Sequence, residues 1–316
     1  MPADRPPPVH VVAAVLRDAR GRILLARRTA GRDLAGAWEF PGGKVEPGET
    51  ALQALDRELH EELGIRVLAA EPLISVPQAY PAKRIVLDVY TVTAFEGTPR
   101  GRERQALAWS PLEKLSSYPM PPADRPVVAA LTTPGRYLIS ADAPERAPFL
   151  ARLDRALAAG VRRVQLRARG LSAPALAELA RDAGQRCRTR GADLLVNGEP
   201  GLAADLGLGL HLRSSQLMSL DRRPLPVGQT VAASCHNAEE LAQAERLELD
   251  FVVLGPVRAT ESHPEATPLG WEGFSALREG VSLPIYALGG MKTADLAKAR
   301  RHGGQGVAGI RGLWPR

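Results

Sequence analysis

Apolar and polar positions alternate over much of the first third of the chain. His10–Leu16 reads as an apolar strand, Asp18–Gly21 as a turn and Ile23–Ala26 as a second strand. Pro41-Gly42-Gly43 and Glu46-Pro47-Gly48 are loop signals. From Thr50 to Leu63 the period changes to that of a helix. Leu52, Leu55, Leu59 and Leu63 form one stripe, and Gly64 stops it. Ile85–Phe95 alternates again. The Pro-rich stretch Tyr118–Pro122 precedes a short apolar helix ending near Leu131, and Thr132–Gly135 reads as a linker.

The rest of the chain has another rhythm. Strand-like runs fall at Tyr137–Ser140, Val161–Leu166, Asp193–Asn197, Gly209–Leu212, Thr230–Ser234, Phe251–Gly255, Ile285–Gly289 and Gly306–Ile310. Amphipathic Ala/Leu/Arg-rich segments separate most of them: Ala147–Ala159, Ala173–Arg190, Ala238–Leu247 and Thr293–His302. The connection after the fourth strand carries little helix signal. Eight strands alternating with helices predict a parallel (β/α)8 TIM barrel, a small one, with an open doubly wound sheet as the alternative. The expected division is an N-terminal domain over 1–133 and a barrel over 136–316, both α/β.

The 316 residues, 45% hydrophobic and 24% charged, suit two globular domains and exclude wholesale disorder. No apolar run is long enough to span a membrane, and the Pro-rich start has no apolar signal region. Two cysteines, Cys187 and Cys235, make neither a disulfide framework nor a four-cysteine zinc site, so a cytoplasmic protein is expected. The net charge of +6 falls mostly after residue 133. The basic residues are scattered and lack interleaved aromatics, so no specific nucleic-acid binding is expected.

The most specific signal is Gly43-x5-Glu49-x7-Arg57-Glu58-Leu59-His60-Glu61-Glu62-Leu63-Gly64-Ile65. Glu58, Glu61 and Glu62 stand at i, i+3 and i+4, on one helical face. Three carboxylates in one turn repel unless a cation lies among them. They adjoin the leucine stripe, and a Gly-rich loop leads into the helix. Such an oxygen-only donor set suits Mg2+, with Mn2+ as a substitute, and Mg2+ usually brings phosphates with it.

This pattern matches the Nudix box, GX5EX7REUXEEXGU, at every specified position, and the chain resembles the Nudix hydrolases over about 8–132. The resemblance implies an α/β/α sandwich around a mixed sheet and cleavage of nucleoside diphosphates linked to another moiety. It extends to the MutT-like 8-oxo-dGTP diphosphatases through Leu25–Arg28, Trp38–Lys44, Gly97-Thr98-Pro99 and Pro121–Pro126. It implies that the Gly42 carbonyl, Glu58, Glu61, Glu62 and Glu103 hold metal and that Lys44 faces the phosphates. Glu49 and Arg57 would pair to tie loop to helix. Arg28, Tyr80 and Asp124 would line the base pocket. Asp124 stands where MutT-like sequences usually carry Asn. The implied reaction is attack of water on the β-phosphorus, giving a nucleoside monophosphate and pyrophosphate, a nucleotide-pool-sanitising activity. Spacing does not identify the general base; Glu58 is the expected one.

Residues 136–314 resemble the thiamine phosphate synthase and TenI-like thiazole tautomerase superfamily. The segments are Val164–Arg167, Leu194–Asn197, Gly209–Leu212, Ser234–His236, Gly255–Val257 with Thr260–Pro264, Ala287–Gly290 and Gly306–Gly309. The resemblance places a phosphate at Gly289, Gly290 and Gly309, with Arg167 and His236 as further ligand-site residues. A synthase would need acids where this chain has Gly198 and Gln216. Its Glu and Lys in the Arg-Glu-Lys motif are Ala168 and Arg169 here. Synthase activity is therefore not expected. A tautomerase needs only a phosphate anchor and a proton shuttle, and the resemblance implies His236 for the shuttle.

Three function classes follow: a MutT-like pyrophosphohydrolase with an appended barrel, a Nudix enzyme for a thiamine-related pyrophosphate, and a hydrolase regulated by a barrel that senses a phosphorylated, thiazole-like ligand.

Overall fold

The structure is a computed structural model and describes residues 7–31, 33–140, 145–168, 170–260 and 266–315. Arg169 and 261–264, singled out above, lie outside the described residues. By internal contacts the chain forms two compact units, one of Met1–Thr133, Arg278–Ser282 and Arg300–Gly303 and the other of Pro134–Leu277, Leu283–Ala299 and Gly304–Arg316.

In the first unit the strands are β1 (Val9–Val15), β2 (Ile23–Arg27), β3 (Trp38–Glu39) and β4 (Gly42–Lys44). Helix α1 (Ala51–Leu63) follows, then β5 (Arg66–Ala79), β6 (Arg84–Glu96), β7 (Leu107–Ser110) and α2 (Arg125–Thr132). A mixed sheet runs β4-β1-β6-β5, with β1 and β6 parallel and its other pairs antiparallel; a second sheet runs β3-β2-β7. The period-2 alternation of β1 sets the layers. Val12, Ala14 and Leu16 pack with Leu55, Leu59 and Leu63 of α1. Ala13 and Val15 pack on the other face with Val127 and Val128 of α2. The sheet is thus covered by helix on both sides.

Helix α1 starts at Thr50, whose hydroxyl accepts the Gln53 N–H while the Gln53 amide accepts the Thr50 N–H, a reciprocal cap. It ends at Gly64, at φ 71°. The leucine stripe is shorter than the sequence predicts. Leu52 is 49% exposed, because the first turn meets the core through Ala51 instead.

The second unit is a closed barrel of eight parallel strands in the order β8 to β15: Arg136–Ile139, Arg163–Leu166, Asp193–Asn197, Gly209–Leu212, Val231–Cys235, Phe251–Leu254, Ile285–Leu288 and Gly306–Gly309. Between them lie α3 (Arg146–Ala158), α4 (Ala173–Thr189), α5 (Pro200–Leu206), α6 (Ser214–Met218), α7 (Ala238–Arg246), α8 (Gly270–Arg278) and α9 (Leu296–Arg301). The weak connection after β11 is the five-residue α6. The segment expected as one helix from Thr293 begins as a 3-10 turn, Thr293–Asp295, before α9. The interior is packed by Tyr137, Leu195, Phe251, Tyr286 and Ala308; Tyr137–Phe251 and Phe251–Tyr286 meet edge-on, each with centroids 5.2 Å apart. Arg163, nearly buried, stacks 4.5 Å over Phe251 and donates to Tyr286 Oη and to Asp193.

Candidate functional site

On α1, Arg57 organises the carboxylates. Its Nε donates to Glu49 Oε1 at 2.8 Å, and one terminal nitrogen donates to Glu49 Oε2 and the Lys44 carbonyl at 3.0 and 2.9 Å. Its other terminal nitrogen reaches Glu58 Oε1 at 3.0 Å and Glu61 Oε2 at 3.3 Å. The Glu49–Arg57 pair therefore ties loop to helix. The Glu49 carboxyl is held below its usual range by the Arg57 hydrogen bond. Glu62 is buried and accepts the Gly42 N–H at 3.2 Å. The three helical glutamates thus divide. Glu58 and Glu61 gather around one guanidinium, while Glu62 turns to the β4 backbone. Among the described residues no three His, Cys, Asp or Glu side chains converge in a preformed metal cage.

The residues nonetheless fit a hard cation. The donors are oxygens, and the loop is shaped around them. A Cβ on Gly43 would lie 2.2 Å from the Glu58 carboxyl carbon, so only glycine lets that carboxylate rest against β4. Gly42, at φ 151°, approaches β1 so closely that a Cβ would meet the Val12 carbonyl at 2.1 Å. Glu103 sits in an exposed loop bound to the same helix end. Arg102 N–H and Gln105 Nε2 donate to the Glu62 carbonyl, and Arg100 N–H to that of Leu63. Lys44 is exposed beside the loop.

A second group of residues lies around Asp124, which is 5% exposed and accepts the Phe40 N–H at 3.2 Å. Burial pushes its carboxyl up to about 7, with the neighbouring Glu39 raising it further; the Phe40 N–H and Arg28 oppose the shift. Arg28 pairs with Glu39 and donates to the Asp33 carbonyl at 2.6 Å. The half-buried Tyr80 has the Ala123 backbone at its hydroxyl and feels Asp124, Arg28 and Glu39; burial raises its pKa. Arg28, Tyr80 and Asp124 are thereby brought together. Glu39 joins them and is not foreseen from the sequence, although the strand pairing Ala26↔Glu39 sets it close to Arg28.

At the strand C-termini of the barrel lies a cavity of about 630 Å3. It is lined by Arg167, His236, Gly289, Gly290 and Gly309, all expected there, and by Arg213, Ser234, Lys292 and Arg311, which were not. The signal for Arg213 is present in the sequence, since it directly follows a strand on the face where such barrels carry their sites. Gly289 (φ 109°) and Gly290 (φ 65°) need glycine; at Gly289 a Cβ would meet the Val257 nitrogen at 2.8 Å. His236 Nδ1 is 2.9 Å from Glu240 Oε2, which also accepts the His236 N–H.

The described residues that line this cavity include no carboxylate that could hold the Mg2+ a synthase would need. Gln216 accepts the Arg213 N–H and donates to the Gly198 carbonyl at 3.0 Å, a bridge that a carboxylate cannot make from its acceptor-only oxygens. Gly198, at φ 75°, has the Arg213 guanidinium where a side chain would start, 2.7 Å from a Cβ.

The fold is an α/β sandwich followed in the chain by a parallel barrel. The Nudix domain model matches residues 7–131 and the thiamine monophosphate synthase model residues 136–313, and the chain belongs to both families, one in each domain. The first domain is 46% identical over 122 residues to the CTP pyrophosphohydrolase of Escherichia coli (strain K12), covering 39% of this chain and 90% of that protein. It is 42% identical to the 8-oxo-dGTP diphosphatase of Haemophilus influenzae, again covering 39% of this chain and 90% of the relative. The barrel is 33% identical to the thiamine-phosphate synthase of Chloroflexus aurantiacus, covering 49% of this chain and 73% of that one. The N-terminal domain is a Nudix hydrolase acting on phosphoric anhydride bonds. Among the described residues no helix is long and apolar enough to cross a membrane.

Proposed function

We propose that the N-terminal domain hydrolyses a nucleoside triphosphate, 8-oxo-dGTP above all, to the monophosphate and pyrophosphate in an Mg2+-dependent reaction. The carrying observation is the Arg57-centred arrangement of Glu58, Glu61 and Glu49 on a loop moulded around Glu58. Glu58, Glu61 and Glu62, with the Gly42 carbonyl and Glu103, would hold the metal, which supplies charge neutralisation for the phosphates when bound. Glu58 orients and deprotonates the attacking water. Arg57 holds Glu58 and Glu61 in place while Glu49 fixes Arg57. Lys44 attracts the phosphate chain. Arg28, Tyr80 and Asp124, with Glu39, face the base.

Asp124 decides the base through its protonation. Protonated, it donates to the O6 acceptor of an oxidised guanine; ionised, it only accepts. A cytosine offers a donor amine instead. This favours a second reading, a cytidine triphosphate, supported by the acceptor-rich Asp124–Glu39 pair and by the CTP-hydrolysing relative. The test is kcat/KM for 8-oxo-dGTP, dGTP, CTP and thiamine diphosphate from pH 6 to 9. The ratio of 8-oxo-dGTP to CTP should fall as pH rises through about 7. A pH-independent ratio removes Asp124 from base selection, and preferred hydrolysis of thiamine diphosphate refutes the nucleotide assignment. In the barrel, the Glu240-held His236 and the Gly289–Gly290 turn fit a tautomerase-like or ligand-sensing role toward a phosphorylated small molecule.

A further inference from the structure

Helix α1 ends against the loop 100–105, which caps it with side chains as well as backbone. The last turn of a helix leaves carbonyls without intrahelical donors. Here the Leu63 carbonyl takes the Arg100 N–H at 3.0 Å, and the Glu62 carbonyl takes the Arg102 N–H at 2.9 Å. Arg102 Nη1 donates to the His60 carbonyl at 3.1 Å, which sets a cation at the negative end of the helix. Arg102 Nε lies 2.5 Å from where a Cβ on Gly64 would stand.

One side chain of the loop joins helix and loop. Gln105 Nε2 donates to the Glu62 carbonyl at 3.1 Å, and Gln105 Oε1 accepts the Glu103 N–H at 2.8 Å. A carbonyl only accepts and an N–H only donates, so both partners fix the same orientation of the amide. The loop is folded tightly to allow this. A Cβ on Gly101 would stand 2.5 Å from the Gln105 carbonyl oxygen and 3.1 Å from Gln105 Oε1. Arg104 takes φ 61°, a left-handed conformation that is costly for a residue with a side chain. Gln105 is half-buried while residues 101–104 are exposed, so its amide is the inward anchor of a solvent-facing loop.

We infer that Gln105 is a positioning residue for the metal-holding carboxylates: its amide sets Glu103 against the Glu62 end of α1. The inference rests on the proposed reading that Glu62 and Glu103 hold the metal. A carboxylate on a free loop pays an ordering cost each time it meets a cation, and an anchored one does not. Ala at 105 makes neither bond. A carboxylate there would accept the Glu103 N–H but face the Glu62 carbonyl with no proton to give.

Mn2+ binding to the full chain, followed by electron paramagnetic resonance, and amide hydrogen exchange at Glu103 test this together. Gln105→Ala should weaken Mn2+ binding about tenfold. It should also remove exchange protection at Glu103, with the unfolding midpoint of the first domain little changed. Gln105→Met, which keeps the length of the side chain but not its hydrogen bonds, should do the same. Glu103→Ala should weaken Mn2+ binding by a similar factor, and the double variant carrying both alanines no further, because Gln105 acts through Glu103. Mn2+ affinity or Glu103 exchange unmoved by Gln105→Ala, or losses that multiply in the double variant, would overturn the inference and leave the metal role of Glu103 standing. Wild-type Mn2+ affinity in Glu103→Ala would overturn that metal role, and the inference with it.

Discussion

Replacing Asp124 by Asn should stabilise the first domain, and by more at high pH. The buried carboxyl has a pKa of about 7 in the fold against 3.8 when solvated. A raised carboxyl pKa means that the fold prefers the protonated form. The group costs nothing below the unfolded pKa, costs progressively more between the two values and reaches a plateau above the folded one. The gap between the two values corresponds to ~4 kcal/mol at the plateau, and the part accumulated by pH 5 is ~2 kcal/mol. Asn keeps the oxygen that accepts the Phe40 N–H and gains an amine that can donate toward Glu39. Differential scanning calorimetry of both proteins at pH 5 and pH 8.5 reads the effect. The first-domain transition should rise on the order of 10 °C at pH 8.5 and about half as much at pH 5. An equal shift at both pH values, or none, would refute the burial argument.

Other outcomes follow from the same geometry. Glu58→Gln and Glu61→Gln should each lower turnover at least ~100-fold at saturating Mg2+, with unfolding midpoints little changed because both residues flank the core. Gly43→Ala should do the same indirectly, since its methyl displaces the Glu58 carboxylate; circular dichroism should show an unaltered fold. Purified protein should form no thiamine phosphate from the two synthase substrates, because the described cavity lining offers no carboxylate to gather the metal; product accumulating in proportion to protein would contradict this.

Much of this architecture was readable from periodicity. The eight barrel strands were legible because buried parallel strands are short apolar runs between amphipathic helices. Helix α1 announced itself through Thr50, its leucines and Gly64. The 14-residue strand β5 did not, because two prolines and three register shifts break its alternation. Helix α5, seven residues beginning Pro200-Gly201, was too short to read. The candidate site was legible where one helix carries it, as with Glu58 and Glu61, which gather on Arg57. It was not where strand pairing assembles it: Glu39 meets Arg28 across β2 and β3, and spacing alone does not reveal that contact. The resemblance places Asp124 in the base pocket, and the packing of α2 on the sheet, which spacing does not reveal, accounts for how completely it is buried.

The proposed nucleotide hydrolysis is tested most directly by product analysis of 8-oxo-dGTP hydrolysis by the full chain, with wild type and Glu58→Gln compared in Mg2+ and in EDTA. The wild type should give monophosphate and pyrophosphate in Mg2+, Glu58→Gln at least ~100-fold less, and neither protein any product in EDTA. Release of inorganic phosphate with a nucleoside diphosphate, or equal rates in the two proteins, would contradict it.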